Sequence, residues 1–248
     1  MIRLILILVM VVIFLILSLP IQLVVWLLSK KWPTAPDHVS YPLVCNVFKI
    51  IMFIAGVKLT VIGEDKIPQD CAVMYVGNHR SFFDIISTYS RVPRPTGYLA
   101  KKELKKVPGL NIWMSLMHCV FLDRDDIKQG LQCILKCIDH INNGISVTVF
   151  PEGTRNKVND TFLPFHEASF KIATKTKCPI VPMAINNAGA ILEDHMPFIR
   201  PAHLIIEYLD PIYIDSLEPE DKKKIGAYTQ SKIEEAYFRN KEIYGAAK

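Results

Sequence analysis

The stretch AVMYVGNHRSFFDII, residues 72–86, has the pattern of a buried strand that turns sharply into a helix. The apolar run 72–77 ends at a glycine, and Ser81-x-x-Asp84 is a capping-box signature with Asp in place of Glu or Gln. On one continuous helix, His79 and Asp84 would point about 140° apart. We therefore predict that His79 lies in the turn before the helix and folds back within reach of Asp84.

Strand-like and helix-like segments alternate on both sides of this stretch. The predicted strands are residues 57–63, 72–77, 119–124, 145–150 and 180–185, with two more around Asp210-Pro211. The predicted helices are residues 81–90, 108–117, 126–143 and 165–176, and an exposed helix over the last 30 residues. This alternation predicts an α/β fold over residues 57–248, with a mostly parallel, helix-covered sheet.

The first part of the chain predicts a hydrophobic helical membrane anchor over residues 1–56. Residues 4–29 contain no charged side chain and would form a helix of about 39 Å, against a hydrocarbon core of roughly 30 Å. A cleaved signal peptide is the alternative, but the run is too long and no A-x-A-like site follows it. Pro20 either kinks a spanning helix or divides two segments that dip into one leaflet. Residues 43–56 are too short to span and predict an interfacial or core-packed helix.

The flanking charges and the cysteines indicate on which side of the membrane the rest of the chain lies. Lys30 and Lys31 follow the apolar run, against Arg3 before it, which favours a cytoplasmic remainder. The six cysteines contain no C-x-x-C pair and are interpreted as reduced thiols. The prediction is a cell (inner) membrane protein whose active domain lies on the cytoplasmic face.

The charge balance is modestly basic, with 29 Lys and Arg against 24 Asp and Glu. The one concentration is the lysine cluster within residues 101–106, which lacks the interleaved aromatic residues of a nucleic-acid surface. An anionic membrane or a phosphate-bearing substrate fits better than nucleic acid. We predict no metal site, because the histidines and cysteines nearest to each other lack zinc-ligand spacing: His118, Cys119, Cys133, Cys137 and His140.

A second polar motif, FPEGTR at residues 150–155, follows the strand 145–150. Proline and glycine end the strand in a sharp loop and present Glu152, Thr154 and Arg155 at its carboxyl end, where open α/β sheets bind ligands. The planar fork of an arginine suits a phosphate group. We expect this loop to lie beside His79, at the same edge of the sheet.

These residues resemble a known family. NHRSFFD at 78–84 is similar to the N-H-x-x-x-x-D box of the glycerolipid acyltransferases, and FPEGTR matches their third box letter for letter, with bacterial-type 1-acyl-sn-glycerol-3-phosphate acyltransferases as the best fit. Weaker resemblances are YLAKKEL at 98–104, FLDR at 121–124 and IVPMAI at 180–185. His166 and Ala168 depart from the family, which usually has Lys and Gly there.

The resemblance implies transfer of a fatty acyl group from a thioester to the free sn-2 hydroxyl of 1-acyl-sn-glycerol 3-phosphate, which gives phosphatidic acid. His79 would take the proton of the attacking hydroxyl, since imidazole exchanges protons near neutral pH, and Asp84 would orient the ring. No G-x-S-x-G elbow is present, so we expect no covalent acyl-enzyme.

The remaining assignments concern substrate binding. Arg155 would bind the substrate phosphate, with Lys101 or its neighbour Lys102 as a second cation. Arg124 contributes as well, or else pairs with an aspartate at a helix start. Glu152 either bonds substrate hydroxyls or holds Arg155, and Gly153 and Thr154 complete the binding loop. Backbone N–H groups at the start of helix 81–90 or around Gly153 are the candidate oxyanion donors.

We expect no metal and no bound cofactor; the partners are the lipid bilayer, a lysophospholipid acceptor, and acyl-CoA or acyl-carrier protein as the co-substrate. Neither donor type nor acyl chain length follows from the sequence. The alternatives are another lysophospholipid, glycerol 3-phosphate or an amino-lipid as acceptor, a thioester hydrolase, and a non-catalytic membrane lipid-binding protein.

Overall fold

The computed structural model describes residues 1–123 and 126–245 and has a seven-stranded sheet at its centre. The strands are β1 (Lys58–Ile62), β2 (Met74–Gly77), β3 (Thr96–Lys101), β4 (Val120–Leu122), β5 (Ser146–Val149), β6 (Ile180–Asn186) and β7 (His203–Tyr208). Their order is β1-β7-β6-β2-β5-β3-β4, and the β6–β7 pair is antiparallel while the others are parallel. The prediction of a mostly parallel α/β sheet is confirmed.

Nine α-helices occur in the described residues. They are α1 (Ile2–Leu17), α2 (Leu19–Ser29), α3 (Ala35–Ala55), α4 (Phe82–Tyr89), α5 (Leu110–Leu116), α6 (Ile127–Asn142), α7 (Lys171–Thr176), α8 (Pro219–Lys223) and α9 (Ile225–Gly245). The predicted helix 165–176 is a 3-10 turn, Glu167–Phe170, followed by the short α7. The second of the two strands predicted around Asp210-Pro211 is reduced to a single bridge between Ile212 and Ile180.

The sheet is covered by helices on both faces. Successive strand residues point to opposite faces, so Met74 and Val76 pack with α6, α7 and α9, whereas Tyr75 packs with α1, α3 and α4. The prediction that the last 30 residues form an exposed helix is wrong for α9. Its Ile233 is fully buried, because a stripe at 3–4 spacing that also includes Thr229, Ala236 and Asn240 packs against the sheet at β6.

The N-terminal helices form a bent pair and one longer helix. The axes of α1 and α2 differ by 49°, and Pro20 lies in the first turn of α2. The bend is fixed on α5, because the Ser18 hydroxyl accepts a hydrogen bond from Trp113 Nε1 at 2.9 Å and Gln22 Nε2 donates to the Gly109 carbonyl at 3.1 Å. The apolar run is therefore two segments rather than one straight helix.

The helix α3 is longer than the sequence suggested. It has 21 residues and is apolar and long enough, at about 32 Å, to cross a bilayer, as are α1 and α2 if they count as one broken span. The predicted helix 43–56 is only the second part of this element, because the helix begins at Ala35 and continues through Pro42. Ile51 and Ala55 of this helix pack into the same core as the sheet, and the division of the chain at residue 56 stays a prediction.

Because β2, β3 and β5 run parallel, their carboxyl ends lie at one edge of the sheet. Gly77 ends β2, Val149 ends β5 and Lys101 ends β3. This edge carries both polar motifs.

Candidate active site

His79 and Asp84 meet in the turn between β2 and α4. Ser81 is the N-cap of α4, with an extended backbone, and its hydroxyl accepts from the N–H of Phe83 at 3.0 Å. Asp84 reaches back in the opposite direction, and its Oδ2 accepts from the N–H of Ser81 at 2.7 Å. The same oxygen accepts from the N–H of Arg80 at 2.7 Å and lies 2.8 Å from His79 Nδ1. The capping box therefore brings the ring and the carboxylate together.

The tautomer of His79 follows from its partner. An ionised carboxylate only accepts hydrogen bonds, so Nδ1 carries the proton and donates it to Asp84, which is fully buried. The ring stacks on Phe150, with centroids 4.4 Å apart and planes 17° apart. Among the described residues, Nε2 has no hydrogen-bond partner, and the side chain is 12% exposed. The arrangement leaves one basic nitrogen available to a ligand.

Glu152 ties the two motifs together through the backbone. Its Oε1 accepts from the N–H of His79 at 2.7 Å, and its Oε2 accepts from the N–H of Leu163 at 3.0 Å. Burial raises the pKa of the Glu152 carboxyl, and these two hydrogen bonds partly oppose that shift. The structure therefore gives Glu152 backbone partners and not Arg155, which was one of the two roles expected for it.

Arg155 instead pairs with Glu193, a residue that the sequence did not indicate. Its Nη1 donates to Glu193 Oε1 at 3.0 Å, and its guanidinium carbon lies 3.9 Å from the centre of the Phe82 ring. The remaining edge, Nε–H and Nη2–H, has no partner within the described parts of the chain. The guanidinium thus presents a free two-donor edge, and its side chain is 37% exposed.

Gly153 allows the binding loop to turn. Its φ of +71° lies in the left-handed region, and a Cβ there would come within 3.2 Å of the ring of His166. His166 is one of the departures from the family, and its ring lies against this loop. A side chain at residue 153 would therefore displace the segment that carries Thr154 and Arg155.

The backbone donors of the two motifs differ in availability. At the start of α4, the N–H of Phe82 donates to Glu193, that of Phe83 to Ser81, and that of Asp84 to the Ser81 carbonyl at 3.3 Å. The N–H of Gly153 donates to the Phe150 carbonyl at 3.0 Å. The N–H groups of Thr154 and Arg155 have no acceptor in the part of the chain that the structure describes. The helix start, expected as one source of oxyanion donors, is therefore occupied.

The other predicted binding residues pair with acidic side chains or lie outside the described residues. Lys101 ends β3 at the same sheet edge, but its side chain is well exposed and pairs with Glu103 at 3.3 Å. Lys102 pairs with Asp123. Arg124 lies outside the described residues. No group of three potential metal ligands occurs among residues 1–123 and 126–245.

A polar cleft of about 170 Å³ has His79 in its wall and lies between β6, α9 and residues 156–162. Its walls include Arg80, whose guanidinium donates to the Asn156 carbonyl and to Asn159 Oδ1, both at 2.9 Å, and pairs with Asp194. Asp160 pairs with Lys241 at 2.6 Å. Arg155 is not among the residues that line this cleft.

The sequence is similar to those of known proteins. A family model described as Acyltransferase matches residues 58–186, which is more than half of the chain. A protein of Saccharomyces cerevisiae named 1-acyl-sn-glycerol-3-phosphate acyltransferase is 29% identical over 198 residues, 79% of this chain and 64% of that protein. One of the same name from Borreliella burgdorferi is 28% identical over 196 residues, 79% of this chain and 78% of that protein. The match thus spans slightly less than two thirds of the yeast protein.

A solved structure shows the same fold. The crystal structure of the 1-acyl-sn-glycerophosphate (LPA) acyltransferase PlsC from Thermotoga maritima superposes with a TM-score of 0.80, covering 96% of this chain and 95% of that one. The two sequences are 20% identical over this match, so the likeness concerns the fold. It includes the N-terminal helices as well as the sheet.

Proposed function

Because this chain belongs to the acyltransferase family, we propose that it transfers a fatty acyl group from a thioester to the free sn-2 hydroxyl of 1-acyl-sn-glycerol 3-phosphate. The product is phosphatidic acid, a precursor in phospholipid biosynthesis. One observation carries the proposal: His79 Nδ1 lies 2.8 Å from a buried carboxylate, at the sheet edge where Arg155 offers a free guanidinium edge.

His79 is the general base. Its Nδ1–H donates to Asp84, which leaves Nε2 to take the proton of the acceptor hydroxyl as the oxygen attacks the thioester carbonyl. Asp84 stabilises the imidazolium that forms and keeps the ring oriented, and Phe150 fixes the ring plane. When the tetrahedral intermediate collapses, the C–S bond breaks and the leaving thiolate receives the proton from the imidazolium.

The oxyanion of that intermediate needs donors that are not already used. The N–H groups of Thr154 and Arg155 meet this condition, because the described structure gives them no acceptor and they follow the left-handed Gly153. We assign them the oxyanion role in preference to the N–H groups at the start of α4.

Arg155 binds the phosphate of the acceptor. The two donors of its free edge match two phosphate oxygens, and the bond to Glu193 together with the Phe82 ring holds the planar group in place. Lys101 is a second cation for the phosphate, and Arg124 keeps its role as a further candidate. Glu152, Gly153 and Thr154 shape the loop that presents these groups.

The N-terminal helices serve the same reaction. Many apolar side chains of α1 and α2 are exposed, and burying each CH₂ group in lipid is favourable by about 0.8 kcal/mol. We propose that they hold the domain on the cytoplasmic face of a cell (inner) membrane, where acceptor and product reside. The donor is acyl-CoA or acyl-carrier protein, used as a co-substrate without a bound cofactor.

The test is an acceptor panel on purified protein in detergent, with both donor types. We expect acylation of 1-acyl-sn-glycerol 3-phosphate and at least tenfold lower kcat/KM for a lysolipid without the phosphate monoester. Equal rates for acceptors with and without that phosphate would contradict the Arg155 assignment. Thioester consumption that does not depend on any acceptor would identify a hydrolase instead.

A further inference from the structure

We propose that Glu193 is a positioning residue that fixes Arg155 for the substrate phosphate and holds the start of α4 against it. The inference rests on the proposed function and adds a residue from outside both polar motifs. Glu193 lies in the 3-10 turn Glu193–His195, which follows β6. Its side chain is 9% exposed.

The contacts of Glu193 join the two motifs directly. Oε1 accepts from Arg155 Nη1 at 3.0 Å and from the N–H of Phe82 at 2.9 Å. Oε2 accepts from the Ser81 hydroxyl at 2.5 Å, and that hydroxyl in turn accepts from the N–H of Phe83. One carboxylate therefore holds a guanidinium, an orphan N–H group of the first helical turn and the N-cap side chain.

Each contact has a consequence for the chemistry. The N-cap and the first turn of α4 set the position of Asp84, and Asp84 sets the ring of His79. The bond to Nη1 determines which edge of Arg155 stays free, because the opposite pair of donors, Nε–H and Nη2–H, then faces away from the carboxylate. Glu193 contacts neither the imidazole nor the free edge of Arg155, and it positions both through the groups that it binds.

Two effects of removing Glu193 on substrate binding have opposite signs. Loss of an anion beside Arg155 strengthens the attraction of the guanidinium for a phosphate, which would lower the KM for the acceptor. Loss of the bond releases a long side chain that must then be ordered at each binding event, which raises that KM. The Arg155 side chain is 37% exposed, so solvent screens the charge effect, and we expect the ordering effect to dominate.

The experiment is a double-mutant cycle with Glu193→Ala, Arg155→Ala and the combined variant, together with the conservative Glu193→Gln. We expect Glu193→Ala to raise the acceptor KM about tenfold with the donor KM unchanged, and Glu193→Gln, which keeps an acceptor oxygen, to recover most of that loss. In the Arg155→Ala background, Glu193→Ala should change the acceptor KM by less than about twofold. Asp215→Asn is the control, since Asp215 is an exposed acid that pairs with Lys177.

The outcomes separate the inference from the proposed function. The rate of the unmodified enzyme on the acceptor panel tests the function, whereas ratios among the variants test Glu193. An acceptor KM that falls or stays unchanged in Glu193→Ala overturns the positioning role. So does a tenfold rise in the acceptor KM that persists in the Arg155→Ala background, because the effect of Glu193 on acceptor binding would then not pass through the guanidinium.

Discussion

Two histidine–aspartate pairs occur in the described part of the chain, and they differ in their location and in their surroundings. His79 and Asp84 lie at the carboxyl edge of the sheet, 2.8 Å apart. His118 and Asp37 lie at the opposite edge, 2.6 Å apart, where His118 precedes β4 and Asp37 belongs to the first turn of α3. A short contact between imidazole and carboxylate is therefore not sufficient to identify an active site.

The surroundings of the two pairs decide their roles. The Oδ2 of Asp84 accepts hydrogen bonds from two backbone N–H groups in addition to the ring, so it holds the turn between β2 and α4 in place. His118 uses Nε2 for its aspartate, its ring packs edge-on against His140 with centroids 5.6 Å apart, and its carbonyl oxygen would lie 2.3 Å from any Cβ on Gly97. The second pair joins α3 to the segment before β4 and is a structural junction. The ring of His79 instead stacks on Phe150, and its backbone N–H donates to Glu152, so the first pair is part of the edge that carries both polar motifs.

The largest expected difference between the pairs is in acyl transfer when each histidine is removed. His79→Ala should lower kcat by about 10³-fold or more, because the hydroxyl then lacks its base, with little change in Tm. His118→Ala should keep kcat within about threefold of the unmodified enzyme while it lowers Tm. Steady-state kinetics and thermal unfolding of both variants measure this, and an active His79→Ala enzyme would place the base elsewhere.

Substitution of the two aspartates should distinguish the pairs in the same way, with a smaller loss of kcat. Asp84→Asn should lower kcat by about 10²-fold, less than the loss of the base, because the amide cannot stabilise the imidazolium. Asp84→Asn should also lower Tm, since a buried NH₂ group would replace an oxygen that accepts three hydrogen bonds. Asp37→Asn is the matched variant, and if it reduced kcat as much as Asp84→Asn, the two edges of the sheet would not be functionally distinct.

The free pair of donors on the Arg155 guanidinium lies at the carboxyl edge of the sheet, beside the first pair. Arg155→Lys keeps the charge but replaces the planar fork with a point charge, so the acceptor KM should rise about tenfold while the donor KM stays the same. Kinetics with each substrate varied in turn give both constants. Equal KM values for Arg155 and Lys would show that charge alone binds the acceptor.

The smallest effect is a pH dependence at the structural junction. Burial, and then the nearby His118, lower the pKa of His140 below its ordinary value. A histidine whose folded pKa is lowered contributes its full stability above the ordinary pKa of about 6.5 and loses it as the pH falls through the folded value. Between pH 7.5 and 5, Tm should therefore fall more in the unmodified enzyme than in His140→Gln, by no more than about 4 °C. A steeper fall in His140→Gln would reverse the assigned sign.

The sequence predicted those parts of the site that depend on local structure. The capping box needs only residues 81–84, and the sharp end of β5 needs only Pro151 and Gly153, so both could be inferred from residue types at short spacing. The fold class followed in the same way, from strands and helices that alternate along the chain.

What the sequence did not indicate depends on distant segments. Glu193 is 38 residues from Arg155 and 112 from Ser81, and it reaches both only because the chain turns after β6. The start of α3 at Ala35 was hidden by two prolines, Pro36 and Pro42, which the helix accommodates in its first turn and in its interior. The buried stripe of α9 was hidden because polar residues, Thr229 and Asn240, are part of it.

The most direct test of His79 as the general base is the protonation of its two ring nitrogens. Nitrogen-15 NMR of histidine-labelled enzyme in detergent, with the His79→Gln spectrum for assignment, reports which nitrogen carries hydrogen. In the neutral ring we expect the proton on Nδ1, donated to Asp84, and a lone pair on Nε2 that accepts the hydroxyl proton during acyl transfer. A neutral ring that is protonated on Nε2 and unprotonated on Nδ1 would contradict this assignment, because Nε2 could not then accept the hydroxyl proton.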